Sequence, residues 1–270
     1  MTKIESLYHE LLKKEVVTSE EIQKIASNIL GKERSFRYIY NEYIKKLKGS
    51  GKLLHPRRGL YVAVPPQNIH EDSFQPDRYL MASKIREPYY LGFHTALEIH
   101  GVAYSSYDEV YIVVPPEKRF TPFEFKQVSY SPAFDSSNRT GIKKMTHKGQ
   151  ELVVSSPSRT FLDCIDRPRY AGGWEECLKS LESLGGVKSK DIKNILDERQ
   201  KDMLYRKTGF ILSLFDENPY YEGILSQIKP YLKENIGDSP MYLNKSSKNE
   251  FDEEWNLYVP SGFEDILKGI

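Results

Sequence analysis

Cysteine is nearly absent: Cys164 and Cys177 are the only two in 270 residues. Thirteen positions apart, they match neither a disulfide framework nor a zinc-finger spacing. Such sparing use fits a reducing cytoplasm. No run of about 18 apolar residues occurs, so no membrane-spanning helix is expected. The opening MTKIESLYHELLKKE carries acids early and lacks a continuous apolar stretch, so it does not read as a signal peptide. No His/Cys cluster supplies three or four metal ligands. His94 and His100 are six apart, not the four that put two ligands on one helix face. G-x-S-x-G is missing, as is a Cys/His nucleophile pairing. Gly172-Gly173 sits in a proline-containing turn, not in a strand-to-helix phosphate loop. No cofactor, no metal and no enzymatic activity are therefore expected. There is no internal repeat.

What is present is a strong asymmetry of charge. The chain carries a net +1, but residues 1–66 hold 13 Lys/Arg against 7 Asp/Glu, a net of +6. The remaining 204 residues hold 26 against 31, a net of −5. One part is suited to a polyanion and the other is not. With 39% hydrophobic residues, nineteen Tyr and twelve Phe, the chain can bury a core. Its length suggests two units.

The hydrophobic pattern supplies the elements. Ile4, Leu7, Tyr8, Leu11 and Leu12 make a helical stripe over residues 3–14. Thr18-Ser19-Glu20-Glu21 is a capping box that opens a second helix, which stops at Gly31. A third helix spans about residues 34–48 and ends at Gly49-Ser50-Gly51. Short strands at 52–54 and 60–64 flank a turn, His55-Pro56-Arg57-Arg58-Gly59. Three helices, strand, turn, strand is the order of a winged helix. The fold class expected is α+β: an N-terminal winged helix-turn-helix domain at 1–66, a linker at 67–76, and a mixed α/β domain at 77–270. In that second domain, helices are expected at 78–86, 92–100, 157–165, 174–184, 190–199 and 202–215. Strands are expected at 110–114, 125–130, 151–155 and 255–259. A polar loop is expected between Gly237 and Glu254.

The third helix carries the functional expectation. Phe36, Ile39, Tyr40, Tyr43, Ile44 and Leu47 gather on one face, and Arg34, Arg37, Tyr38, Asn41, Lys45 and Lys48 on the other. A recognition helix needs both faces: a fixed apolar side, and Arg and Asn to reach base edges. Lys45 and Lys48 are placed for phosphates, and Arg57 and Arg58 of the turn for the backbone or a minor groove. From Lys24 to Arg58 there are ten Lys/Arg and two Asp/Glu. Double-stranded DNA is the expected partner, with a protein-contact module as the alternative use of the same surface. The charge split leads to the expectation that the two domains act separately.

The segments PRRGLYVAV, YYLGFHTALEIHG at 89–101 and SSPSRTFLDCIDRPRYAGG at 155–173 resemble the AbiEi family of type IV abortive-infection antitoxins. The resemblance covers about residues 3–215. It implies a bifunctional protein: a winged helix that represses its own operon, and a C-terminal domain that counters a nucleotidyltransferase-like toxin. Arg57, Arg58 and Gly59 match the family's wing. Ala96, His100, Gly101, Pro157, Arg159, Thr160, Asp163 and Gly173 match its C-terminal signature, to which no catalytic role is attached. A stand-alone repressor with a ligand- or protein-binding second domain is the nearest alternative.

Other candidates read as structural. Asp163 lies four after Arg159, and Asp166 adjoins Arg167, spacings that form intrahelical or turn ion pairs, with toxin contact as the other use. His100 reads as a helix-end residue bonding locally. Asp108 with Glu124-Phe125-Lys126 faintly resembles the acid…acid-x-Lys pattern of a metal-dependent nuclease. Tyr89-Tyr90, Tyr220-Tyr221 and Trp255 read as core plugs in preference to base-stacking platforms.

Overall fold

The computed structural model describes residues 1–136, 140–244 and 246–268. It is a mixed α+β architecture with three sheets among the described residues.

The first unit begins with α1 (Lys3–Leu12), β1 (Val16–Thr18) and α2 (Ser19–Leu30). Both helices start in full capping boxes, Thr2 with Glu5 and Thr18 with Glu21. Gly31 ends α2 at φ +69°, the left-handed geometry that a residue without Cβ takes freely. Next come α3 (Phe36–Ile39), a wide turn at Tyr40–Ile44, α4 (Lys45–Gly49), β2 (Leu53–Arg57) and β3 (Leu60–Ala63). The sheet order is β1-β3-β2, antiparallel throughout. Two expectations need correction here. β2 runs on to Arg57, so the expected five-residue turn shrinks to Arg58-Gly59. Strand β1 is an addition to the expected order: it is three residues long, too short to show a period.

β3 is buried on both faces. Tyr61 and Ala63 join Leu7, Leu11, Ile22, Ile39 and Leu47 in the core of the first unit. Leu60 and Val62, pointing the other way, join Val16 in a cluster with Leu80, Met81, Val110, Ile112 and Val154 of the second unit. The continuous apolar run of 60–64 thus reflects a strand covered on both sides. Separating the units would expose three large aliphatic side chains, on the order of 5–9 kcal/mol of lost burial. That is comparable with the whole net stability of a domain, about 5–15 kcal/mol. The Pro65–Pro76 segment crosses this seam with one 3-10 turn, Pro66–Asn68. Polar contacts close it further. Lys84 Nζ donates to Glu21 at 2.7 Å, Gln150 Nε2 to the Lys14 carbonyl at 2.6 Å, and the Asp77 amide to Glu15 at 2.6 Å.

The second unit holds α5 (Arg78–Ser83), β4 (Tyr90–Leu91), α6 (Phe93–Ile99), β5 (Glu109–Val114), β6 (Phe123–Phe125), β7 (Val128–Phe134), β8 (Ile142–His147) and β9 (Gln150–Ser155). The mixed six-stranded sheet has the order β6-β7-β5-β4-β9-β8. The expected strand at 125–130 is instead a hairpin, because Lys126 and Gln127 both take positive φ and fold β6 against β7. A helical layer follows: α7 (Pro157–Asp166), α8 (Trp174–Leu181), α9 (Ser189–Arg199), α10 (Asp202–Leu214) and α11 (Ile224–Glu234). It is closed by a small sheet of β10 (Met241–Tyr242), β11 (Asn249–Asp252) and β12 (Leu257–Pro260), with α12 (Asp265–Lys268) last. The polar loop expected between Gly237 and Glu254 therefore contains two strands; Lys245 within it, and residues 269–270, lie outside the described residues. Trp255 is fully buried, and the absent side chain of Gly209 on α10 makes room for its ring.

The seam should be acid-sensitive. Burial pushes the Glu21 carboxyl up, but Lys84, the Thr18 amide and Lys14 outweigh it and hold it below its ordinary value. A carboxyl lowered on folding adds stability above its unfolded value and loses it as pH falls through the folded one. Unfolding midpoints in urea should thus fall below about pH 4.5, the ordinary glutamate value. Glu21→Gln should flatten part of that acid limb; an unchanged limb counts against the pair.

Candidate nucleic-acid interface and buried charge cluster

The wide i→i+5 turn at Tyr40–Ile44 sets the faces of the third helical segment. Ile39 and Ile44, five apart, are both fully buried, a spacing that a regular helix would rotate apart. Leu47 is buried with them, while Phe36, Tyr40 and Tyr43 are half-buried. Opposite, Arg37, Tyr38, Asn41, Lys45 and Lys46 stand exposed. Glu42 pairs with Lys46 at 3.8 Å, an exposed contact worth little.

The other expected contact residues are less free. Arg34 precedes the helix, whose N-cap is Ser35. Its guanidinium lies 4.9 Å from the Tyr38 ring centroid, and its backbone is tied to Gln23 and Ser27. Lys48 is half-buried, 5.8 Å over Tyr40. Arg58 is exposed beside Gly59, which takes φ +84° to close the two-residue turn. Arg57 departs from expectation. It lies 4.7 Å over Phe123 and 5.7 Å over Phe120, with Nη1 buried and unpartnered. Burial and the charge of Arg86 lower its guanidinium from the ordinary value. It is a seam residue rather than a free tip.

The signature residues of the second unit lie around α6 and α7. Ala96 is fully buried on α6. His100 ends that helix, and Gly101 follows at φ +74°. The imidazole is not bonded locally: His100 Nε2 reaches the Ser155 carbonyl of β9 at 2.9 Å. Thr160 Oγ1 meets Ser155 Oγ at 2.7 Å. Pro157 is the first residue of α7, capped by Ser156. Gly173, at φ +93°, leads into α8.

Arg159 and Asp163 belong to a cluster at which the sequence spacing only hints. The intrahelical pair exists, with Arg159 Nε 3.6 Å from Asp163, and both side chains are buried. Arg159 also meets Asp135 at 2.5 Å, and Arg199 of α9 bonds Asp163. The Tyr90 hydroxyl shares its one proton between Asp135 at 3.1 Å and Asp163 at 3.2 Å. Burial, then the Asp163 charge, push that hydroxyl well above its ordinary value. Arg199 is desolvated too, but Asp163 and Asp135 more than compensate and raise it. Asp166 pairs with Lys201 at 2.9 Å instead of its neighbour Arg167, which donates to the Phe134 carbonyl. An open cleft of about 400 Å³ exposes the rim of the cluster at Asp135, Asp166, Arg167 and Arg199. Sequence spacing misses Asp135, Arg199 and Tyr90, which come from separate strands and helices. It also misses the partners of buried His94, which lies 3.2 Å from Glu176 and 3.6 Å from Glu98.

The nuclease-like residues are exposed or otherwise engaged. Glu124 is exposed on edge strand β6, Asp108 is exposed in a loop, and Lys126 Nζ donates to the Asp72 carbonyl at 2.7 Å. Among the described residues no group of three or more His, Cys, Asp or Glu is placed to hold a metal. None of their helices is long and apolar enough to cross a membrane. Tyr89, Tyr90, Tyr221 and Trp255 are buried, whereas Tyr220 is exposed.

No protein-family model matches the chain, and no curated protein matches it. Among solved structures it is similar to the crystal structure of the RV2827C protein from Mycobacterium tuberculosis. The TM-score is 0.67 at 16% sequence identity, covering 100% of this chain and 96% of that one. At that identity the likeness concerns the fold alone.

Asp163→Asn should destabilise the chain by about 3–5 kcal/mol, because it removes one of the two carboxylates that neutralise the buried Arg159 and Arg199. A loss under about 1 kcal/mol in denaturant titration would mean that Asp135 alone neutralises both.

Proposed function

We propose that residues 1–66 form a winged helix that binds double-stranded DNA. On this reading the chain is a cytoplasmic, non-enzymatic transcriptional regulator of the AbiEi antitoxin type. It represses its own operon, and its second unit counters a nucleotidyltransferase-like toxin. One observation carries the DNA half: Arg37, Asn41 and Lys45 stand exposed at i, i+4 and i+8 on a helix whose opposite side is anchored by Ile39, Ile44 and Leu47. Arg can bind guanine bidentately and Asn can bind adenine. The three-stranded sheet and its two-residue Arg58-Gly59 turn supply the wing beside it. The toxin half is supported by the resemblance of residues 89–101 and 155–173 to the AbiEi signature. Arg159 and Asp163 of that signature are buried, and their partners Asp135 and Arg199 carry the cluster to a surface cleft.

The full chain should bind duplex DNA with log K falling against log salt at a slope near −4 to −5, if about four to six phosphates are neutralised. Binding that stays flat across salt would sink the DNA half. On the true operator, Arg37→Ala or Asn41→Ala should each cost about 1–3 kcal/mol and relax specificity. Equal loss on operator and random duplex would mean that the helix does not read bases. Co-expression with a nucleotidyltransferase-like toxin encoded beside it should restore growth. Operator binding without rescue would leave a stand-alone repressor.

A further inference from the structure

The basic surface continues past the first unit, and its extension rests on residues 1–66 binding duplex DNA as proposed above. Arg57 of the wing and Arg86 of the second unit share one aromatic ring, with guanidiniums 5.7 and 5.9 Å from the Phe120 centroid. Two like charges over one apolar ring repel. Among the described residues, Arg57, Arg58, Arg86, Lys118 and Arg119 form no ion pair. Lys84, two residues before Arg86, is matched at once by Glu21, so the seam pairs its charges up to the wing and stops there.

Sequence and placement agree. Residues 57–59, 85–87 and 117–120 hold five Lys/Arg against two Glu, Glu87 and Glu117. Lys118 and Arg119 are exposed on the turn that leads into Phe120. Gly59 of the wing and Arg86 line one groove of about 550 Å³ whose charges are mixed, Lys24, Lys84 and Arg86 with Glu20, Glu21 and Glu87. The phosphate contacts therefore fall to Arg86 and to the exposed Lys118 and Arg119 outside it. Unpaired, part-desolvated guanidiniums are the groups best suited to phosphate oxygens, through planar bidentate donation.

We infer that the second unit completes the duplex-binding surface: Arg86, with Lys118 and Arg119, takes backbone phosphates on the stretch of DNA that runs past the wing. The contacts are to phosphate and carry no sequence preference. Arg57, pinned on Phe120 and Phe123, holds the wing against this extension. The second unit thus belongs to the DNA-binding machinery despite its net acidic charge.

The test uses the full chain and a fluorescein-labelled random-sequence duplex, with anisotropy followed across salt. Arg86→Gln should lower the salt slope by about one, and the exposed double variant Lys118→Ala/Arg119→Ala by about two. Lys268→Ala, on the distant α12, should leave it unchanged. Unfolding midpoints check the fold, and the surface double variant decides the matter if Arg86→Gln unfolds. Wild-type affinity and slope in both variants, with Arg37→Ala still weakening binding, overturns the inference and leaves the winged-helix proposal standing. Weaker binding at an unchanged slope also overturns it, since that marks a prop and not a phosphate contact. No duplex binding by the wild type defeats both together.

Discussion

Strand β3 is the member on which the rest depends. It has four residues, Leu60 to Ala63, and all four are buried. A strand alternates its side chains, so burying every one demands a partner on each face. Tyr61 and Ala63 find theirs in the three helical segments of the first unit, Leu60 and Val62 in the second. The two units are therefore packed against each other through the outer face of β3. Once Arg57 lies over Phe120 and Phe123, the position of the basic helix is fixed relative to the acidic bulk of the chain. The charge asymmetry is real, but it does not mark a mechanical boundary.

The buried cluster around Arg159 sets a different constraint. Desolvated charges are costly, and what makes them tolerable is reciprocity: two guanidiniums, two carboxylates and a tyrosine hydroxyl drawn from β4, β7's exit, α7 and α9. Such a set fits one arrangement of those elements and no other. It ties the sheet to the helical layer at the edge of a surface cleft.

Much of this is legible in the sequence. The apolar stripe places α1, and the Thr18 capping box with Gly31 places α2, because these signals are local. Pro157, a residue favoured at the first position of a helix, likewise places the start of α7. What fails is information held elsewhere in the chain. β1 and β4 are two or three residues long and exist only because a neighbour hydrogen-bonds to them. β8 reads Ile-Lys-Lys-Met-Thr-His, an exposed edge whose charges hide its pairing with β9. α11 escapes the pattern because Pro230 sits inside it. Among the candidate contacts, spacing can group Arg37, Asn41 and Lys45 but cannot show that Arg57 has an aromatic seat sixty-odd residues away. The Arg159–Asp163 pair is visible as an i, i+4 step, while Asp135 and Arg199 are not, since no period links four separate elements.

The doubly covered strand also bears on how the chain is made. The apolar cluster on the outer face of β3 is completed by Leu152 and Val154, roughly 90 residues after β3 leaves the ribosome. At a synthesis rate of about 5–20 residues per second, Leu60, Val62 and Val16 stay uncovered for roughly 5–20 s. The first unit can gather its helices and pair its three strands in that time but cannot cover their outer face, so each nascent chain passes through a stage with a bare aliphatic strip. Translation speed through the stretch 65–154 then governs how long that strip is open to chaperones or to neighbouring nascent chains.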